Sequence, residues 1–558
     1  MIDETIRRVR DSYGHNRTIE GEYDASLSAA CSNGVFVGAK VGDVCAFRGI
    51  PFAKPPVGPL RWKAPEPVED DTVVREAYYN GKSPLQTLWQ TELASYYPQG
   101  EDCLYLNVWK NLSDTSSDKP VMVFFHGGSY GWGGTADPMY DGKNLVSKHP
   151  DIILVTVAYR IGLMGFVDLS YFEGGEEFSD VPNLGILDQI EALRWIQKNI
   201  RAFGGNPDNV TIFGESAGGG SVSLLPIIPQ AKGLFRRALA ESGSVALTFS
   251  KQECYEFSRR LIEECKTKSM RVLMQLSEAE LSALNRNLNE YNNFPQRDGK
   301  LIPFNPYMPY ERGETTDVDL MIGTNAEEMN YWIGEIGGIV PYRISMTIKY
   351  ENDMRLLTAD DKKRVKHFMS AQNENNLWRM ARFYDELMFR LPAINQAEAH
   401  SRNGGKAYMY YWTVPSALPL RKACHAVELA YVFGNLEETL YTGEVADEVL
   451  SDTIMQMWTN FARTGNPSVP DLEWQPYSAQ HRETMLITRQ PHMKNDVLSG
   501  RRKLLTPLLR HMINPSYATL DYNVPYVKKA VAGGLALTAG IAGLMVFAIK
   551  KLTDTKLN

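Results

Sequence analysis

The amino-acid sequence predicts an α/β fold, a mostly parallel sheet flanked by helices, on three observations. Short apolar runs alternate with helical patterns through the first half. Strand candidates fall at 104–109, 121–125, 152–158 and 210–213. No period of 20 to 50 residues repeats, which excludes solenoids and propellers.

Between the last two strand candidates lies an amphipathic helix. Ile186, Ile190, Leu193, Ile196 and Ile200 recur at steps of four, three, three and four. Asn183 is placed to cap its start, and Gly204-Gly205 to stop it. The middle third, roughly 250–400, carries charged helical patterns such as 277–292 and 358–372. Residues 515–529, with Pro515 and Pro525, read as a linker, leaving 1–514 as one globular domain and 550–558 as a short tail.

The segment 530–549 breaks the soluble pattern. It is twenty residues without a charge, flanked by Lys528-Lys529 and Lys550-Lys551. At 1.5 Å per residue it spans about 30 Å, the thickness of a bilayer's hydrocarbon core. A buried core helix is the alternative, but that would show a polar face and this segment has only Thr538. A C-terminal transmembrane helix is therefore expected, with the lipid bilayer as a partner.

Bulk composition narrows the class. With 44% hydrophobic and 22% charged residues the 558-residue chain is globular rather than disordered. A net charge of −7 lacks the basic footprint of nucleic-acid binding. Six cysteines with no CxxC pair support neither a disulfide scaffold nor a zinc site. Met1–Arg8 contains no apolar core of a signal peptide, so a cytoplasmic domain on a single-pass anchor is expected. The N-x-S/T triplets at Asn16, Asn111 and Asn209 then read as unmodified.

Two motifs carry chemistry. Gly214-Glu215-Ser216-Ala217-Gly218 follows the β-type run Val210-Thr211-Ile212-Phe213 and precedes a small-residue helix start. That is the strand–turn–helix setting of a nucleophile elbow, in which glycines permit a sharp turn and the serine Oγ projects above the sheet. The helix N-terminus behind it favours developing negative charge. Upstream, Val121–Phe125 runs into His126-Gly127-Gly128-Ser129, a loop whose backbone N–H groups can meet a tetrahedral oxyanion together with that of Ala217.

These motifs belong to a longer series. Ala46-Phe47-Arg48-Gly49-Ile50-Pro51-Phe52-Ala53-Lys54-Pro55-Pro56, Glu101-Asp102-Cys103-Leu104-Tyr105-Leu106-Asn107, the two motifs above and Ala423-Cys424-His425-Ala426-Val427-Glu428-Leu429 stand in order along residues 28–470. Together they resemble the type-B carboxylesterase/lipase family, the cholinesterase-like α/β hydrolases, and most of all its disulfide-free bacterial esterases. The resemblance implies an α/β-hydrolase fold with helical insertions over the active-site gorge, and a Ser…Glu…His triad. Residue by residue it puts the nucleophile at Ser216, the acid at Glu328 in Gly323-Thr324-Asn325-Ala326-Glu327-Glu328, and the base at His425. Glu327 is the alternative acid, one register step away. The oxyanion donors fall on Gly128, Ser129 and Ala217, with Ser129 in place of the commoner third glycine. Glu215 is expected either to face the gorge or to form an ion pair.

The chain departs from the family at two places. Neither Cys103 nor Cys265 has the counterpart that secreted members pair with it. The tryptophan that holds choline in cholinesterases is also missing; the equivalent stretch is Leu93-Ala94-Ser95-Tyr96-Tyr97. The expectation is a serine carboxylesterase acting on ester substrates through an acyl-enzyme, without metal or cofactor. The competing readings are an inactive cholinesterase-like scaffold and a membrane-associated lipase.

Overall fold

The structure, a computed structural model, describes residues 2–86, 96–178, 180–288, 294–335 and 338–513. The expected linker and transmembrane segment lie outside these residues. Among the described residues no helix is long and apolar enough to cross a membrane.

Among the described residues thirteen strands form one sheet. They are β1 (Ser28–Cys31), β2 (Asn33–Val41), β3 (Val44–Pro51), β4 (Asp71–Ala77), β5 (Tyr105–Asn111), β6 (Lys119–Phe125) and β7 (Ile153–Val157). The rest are β8 (Gly205–Glu215), β9 (Arg237–Glu241), β10 (Asp319–Asn325), β11 (Ala407–Trp412), β12 (Glu483–Ile487) and β13 (His492–Asn495). Their order is β1-β2-β3-β5-β7-β6-β8-β9-β10-β11-β12-β13, with β4 beside β2. The run from β7 to β12 is parallel throughout, and antiparallel pairs close both ends.

The apolar runs are continuous because both faces of the central strands are buried. Val121, Val123 and Phe125 enter one core, whereas Met122 and Phe124 enter the other. Likewise Leu320 and Ile322 join the first core and Met321 the second. All four expected strands are present, and that at 210–213 proves to be the end of the longer β8.

Helices cover the sheet. Those used below are α1 (Ile2–Asp11), α2 (Leu184–Asn199), α3 (Ala217–Leu224), α4 (Glu278–Asn287), α5 (Ala359–Ser370), α6 (Leu429–Phe433) and α7 (Glu448–Thr464). Ser277 and Thr358 cap α4 and α5, accepting from the amides three residues on.

Asn183 stands at the N-cap position of α2, as the sequence predicts, but its side chain makes no capping hydrogen bond, and a short turn, Val181–Asn183, leads straight in. The Asn183 amide instead donates to the Gln296 carbonyl at 3.1 Å. The polar residues of α2 divide, for Arg194 and Lys198 are exposed whereas Asp188 and Gln189 are both fully buried. Asp188 takes a bidentate pair from Arg160 at 2.7 and 2.8 Å, and Gln189 donates to Ser221 of α3 at 2.9 Å. Periodicity shows which side is apolar but cannot show that polar partners cover part of the other. The helix tightens over Ile200–Phe203 and stops at Gly204, whose φ of 89° suits a residue without a side chain.

Candidate active site

Neighbouring parallel strands deliver the pieces at their C-terminal ends, where ligands of such sheets bind. β6 ends at Phe125 and runs into the His126–Ser129 loop; β8 ends at Glu215, just before Ser216. β9 ends just before Ser242, and β10 ends three residues before Glu328. His425 stands on the loop between β11 and α6.

Ser216 has φ 58° and ψ −119°, a conformation that disfavours any side chain and persists only where packing enforces it. The enforcement is visible at its glycines. A Cβ on Gly218 would stand 1.9 Å from the Phe125 carbonyl oxygen, and one on Gly219 would stand 2.5 Å from that of Glu241. α3 therefore presses onto β6 and β9 closely enough that only glycine fits. The Ser216 amide donates to the Glu241 carbonyl at 2.8 Å, tying the turn to β9.

The loop after β6 is held with similar force. Gly128, Ser129 and Tyr130 all have positive φ, of 100°, 50° and 56°. Gly128 can have no side chain, because a Cβ there would overlap the Trp132 carbonyl at 2.1 Å. Ser129 accepts a left-handed conformation that a third glycine would take without strain. His126 braces the loop from behind, donating from Nδ1 to the Gly127 carbonyl at 2.8 Å. Tyr159 stacks on its ring at 4.5 Å and donates to its carbonyl at 2.7 Å. Burial holds this imidazole neutral, with its pKa pushed down to about 4. Among the described residues no turn or loop backbone hydrogen bond uses the amides of Gly128 or Ser129.

Glu328 is fully buried and receives three donors. The Asn325 amide (2.6 Å) and the Ser242 hydroxyl (2.7 Å) reach Oε1, while His425 Nδ1 donates to Oε2 at 2.6 Å. Glu327, the alternative acid, points elsewhere. It lies 3.4 Å from Arg382 and 3.9 Å from Lys422, and it accepts from the Ala423 amide. Sequence reasoning missed Ser242; its signal was its place directly after a strand end, informative only once β9 is known to lie beside β10.

The other edge of His425 faces Glu215, with Nε2 3.0 Å from Oε1. This is ion-pair distance without hydrogen-bond alignment, and Nε2 carries no hydrogen bond. Glu215 also lines the pocket, as expected of a residue that faces the gorge. Trp332 at 5.2 Å, Phe389 at 5.1 Å and Tyr331 at 5.7 Å pack round the imidazole and limit its rotation. All three come from the insertion between β10 and β11, which periodicity could not place. The pocket brings together Gly128, Ser129, Glu215, Ser216 and His425.

Two more carboxylic acids lie below. Glu241 Oε1 accepts from Trp458 Nε1 of α7, and Glu428 Oε2 from the Asn325 amide group, both at 2.6 Å. Burial pushes each pKa up to about 8, reinforced by Glu215 for Glu241 and by Glu241 and Glu328 for Glu428. Burial thus favours the protonated form of both, which limits negative charge beside the imidazole.

A stability prediction follows from this shift. A carboxyl that holds its proton more tightly when folded weakens the fold progressively as pH rises from about 4.5 to about 8. Glu241→Gln keeps an acceptor for Trp458 and removes that titration. The variant should gain thermal stability relative to wild type between pH 5 and pH 8. Melting curves at both values test this; a difference that does not change with pH would mean that Glu241 ionises normally.

Among the described residues no group of His, Cys, Asp and Glu could hold a metal ion. All six cysteines are described and none is bonded to another. Asn16 and Asn111 are consumed by the fold, since Asn16 donates to the Arg48 and Tyr79 carbonyls and Asn111 donates to Asp43.

Comparison with known proteins agrees with this architecture. The profile of the Carboxylesterase family matches residues 26–504. The para-nitrobenzyl esterase of Bacillus subtilis (strain 168) is 36% identical over 492 residues, covering 84% of this chain and 96% of that protein. The acylcarnitine hydrolase of Mus musculus is 32% identical over 515 residues, covering 86% and 89%. Among solved structures, a thermophilic PNB esterase superposes with a TM-score of 0.76 at 33% identity, covering 86% of this chain and 100% of that one.

Proposed function

The chain belongs to the carboxylesterase family, has its α/β-hydrolase fold and is a carboxylic ester hydrolase; from that premise we propose that Ser216, His425 and Glu328 are its catalytic triad. The observation that carries the reading is the 2.6 Å contact of Glu328 with His425 Nδ1, together with the place of His425 and Ser216 in the wall of one pocket.

In this reading Ser216 Oγ attacks the ester carbonyl as His425 Nε2 takes its proton. Glu328 holds the Nδ1–H tautomer and stabilises the imidazolium. Glu215, 3.0 Å from Nε2, adds negative charge beside the cation as it forms. The oxyanion is received by the amides of Gly128, Ser129 and Ala217, and the loss of one such donor costs about 10²–10³ in rate. Collapse of the tetrahedral intermediate breaks the ester C–O bond, and the alcohol leaves with the proton from His425. Water then attacks the acyl-enzyme with its own proton passing to His425, and the acid departs as Ser216 regains a proton. A scaffold without activity would not need a strained serine, a buried acid and a histidine in register. Fluorophosphonate labelling followed by peptide mapping tests the reading: the adduct should sit on Ser216, and an adduct on another serine would overturn it.

The bilayer belongs to this proposal on sequence grounds. A domain of residues 1–514 would be tethered through 515–529 to a membrane helix at 530–549, with 550–558 as its tail and the catalytic domain on the cytoplasmic side. Full-length protein should remain in the carbonate-resistant membrane pellet, and a chain ending at Tyr522 should be released. Release of both would remove the anchor.

A further inference from the structure

The family match begins at residue 26, yet the residues before it are built into the pocket wall. α1 lays Val9, which is fully buried, against Tyr97 and Ala136, and Tyr13 completes the cluster. Tyr97 lines the catalytic pocket. The Tyr13 and Tyr97 rings stand 6.5 Å apart, and the Tyr13 hydroxyl bonds Ser83 at 3.0 Å. Arg8, one residue before Val9, pairs with Glu438 at 2.6 Å. Leu440 and Tyr441, just beyond Glu438, line the pocket as well. Ala136 precedes Asp137, another lining residue.

One short helix therefore touches three separate wall segments, at 96–97, 136–140 and 438–441. Its base is fixed: Asn80 donates to the Ser12 hydroxyl at 3.0 Å, and Asn16 donates to two carbonyls and accepts from the Tyr78 and Tyr79 amides. Outside the wall lies a groove of about 640 Å³, lined by Arg8, Asp11, Asp137, Pro138 and Glu438. Asp137 borders both spaces, so the wall here is a single layer with room behind it.

We propose that α1 is a clamp on this wall, and that Val9, with Arg8 in support, determines ester selectivity by holding Tyr97 and the 438–441 loop inward. The proposal rests on the reading of the Ser216 pocket as catalytic. Val9 carries the larger share, because Arg8 is half exposed and such an ion pair is weak in water. Loosening the clamp lets the wall retreat into the groove and favours larger substrates.

The test is kcat and KM over nitrophenyl acetate, butyrate and octanoate for wild type, Val9→Ala, Val9→Asp and Arg8→Gln. Val9→Ala should raise octanoate-over-acetate selectivity by about tenfold, the scale on which one methylene is discriminated. The change should lie mainly in KM, and kcat on acetate should hold. Val9→Asp should exceed this, while Arg8→Gln should shift selectivity less and be matched by Glu438→Gln, with no addition in the double variant. Fluorophosphonate titration counts intact sites. An unchanged profile at full titre overturns the clamp, as does a uniform loss across the series with a reduced titre. Labelling away from Ser216 in wild type would instead sink the catalytic reading beneath it.

Discussion

Ser216→Ala will lose ester hydrolysis by about six orders of magnitude and will no longer react with fluorophosphonates, while its thermal unfolding will match or exceed that of wild type. The size follows from removing a nucleophile that acts as a unit with its base. The stability follows from geometry: the positive φ at 216 is imposed by the contacts of Gly218 and Gly219, which an alanine leaves untouched. Alanine meets the same backbone constraint as serine, so the substitution does not harm the fold. Burst kinetics with a nitrophenyl ester give the rate, and calorimetry gives the melting temperature. Labelling that persists in the variant would place the nucleophile elsewhere, and loss of activity with loss of folding would leave Ser216 a structural residue.

What could be read from the sequence follows contact range. The elbow is local: β8, the turn and α3 are contiguous, so glycine spacing and an apolar run suffice to locate Ser216. The central strands are legible for a related reason, since burial on both faces leaves an unbroken apolar signature. What supports the site is not local. Ser242 meets Glu328 across 86 residues of chain, and Trp458 meets Glu241 across 217. Such pairs exist only once the strand order puts β9 beside β8 and β10. The roles of Asp188 and Gln189 in α2 are hidden for the same reason, because their partners Arg160 and Ser221 arrive from other parts of the chain. The choice between Glu327 and Glu328 was open at the level of spacing, and only side-chain direction separates them.

Glu328→Gln will cut turnover by about 10⁴ with little change in KM, whereas Glu327→Gln will be mild in both. The carboxylate of Glu328 serves three donors at 2.6 to 2.7 Å: the Asn325 amide, the Ser242 hydroxyl and His425 Nδ1–H. An amide has one acceptor oxygen and a donating nitrogen. If the oxygen keeps Asn325 and Ser242, the nitrogen meets Nδ1–H, and the imidazole must shift its proton to Nε2. That tautomer cannot accept the serine proton. If the amide turns over instead, its nitrogen meets the Asn325 and Ser242 donors in a site with no exposure to water, where an unmet donor costs about 1–3 kcal/mol. Either arrangement also removes the negative charge that stabilises the imidazolium. Glu327, by contrast, is 22% exposed and serves Arg382 and Lys422, and Arg382 keeps Asp385 at 2.8 Å when Glu327 is neutralised. The ranking is read from kcat of the two purified variants on one nitrophenyl ester, with melting temperatures as the control for folding. The reverse ranking would move the acid of the triad one residue upstream and would require the His425 ring to turn away from the partner it has here.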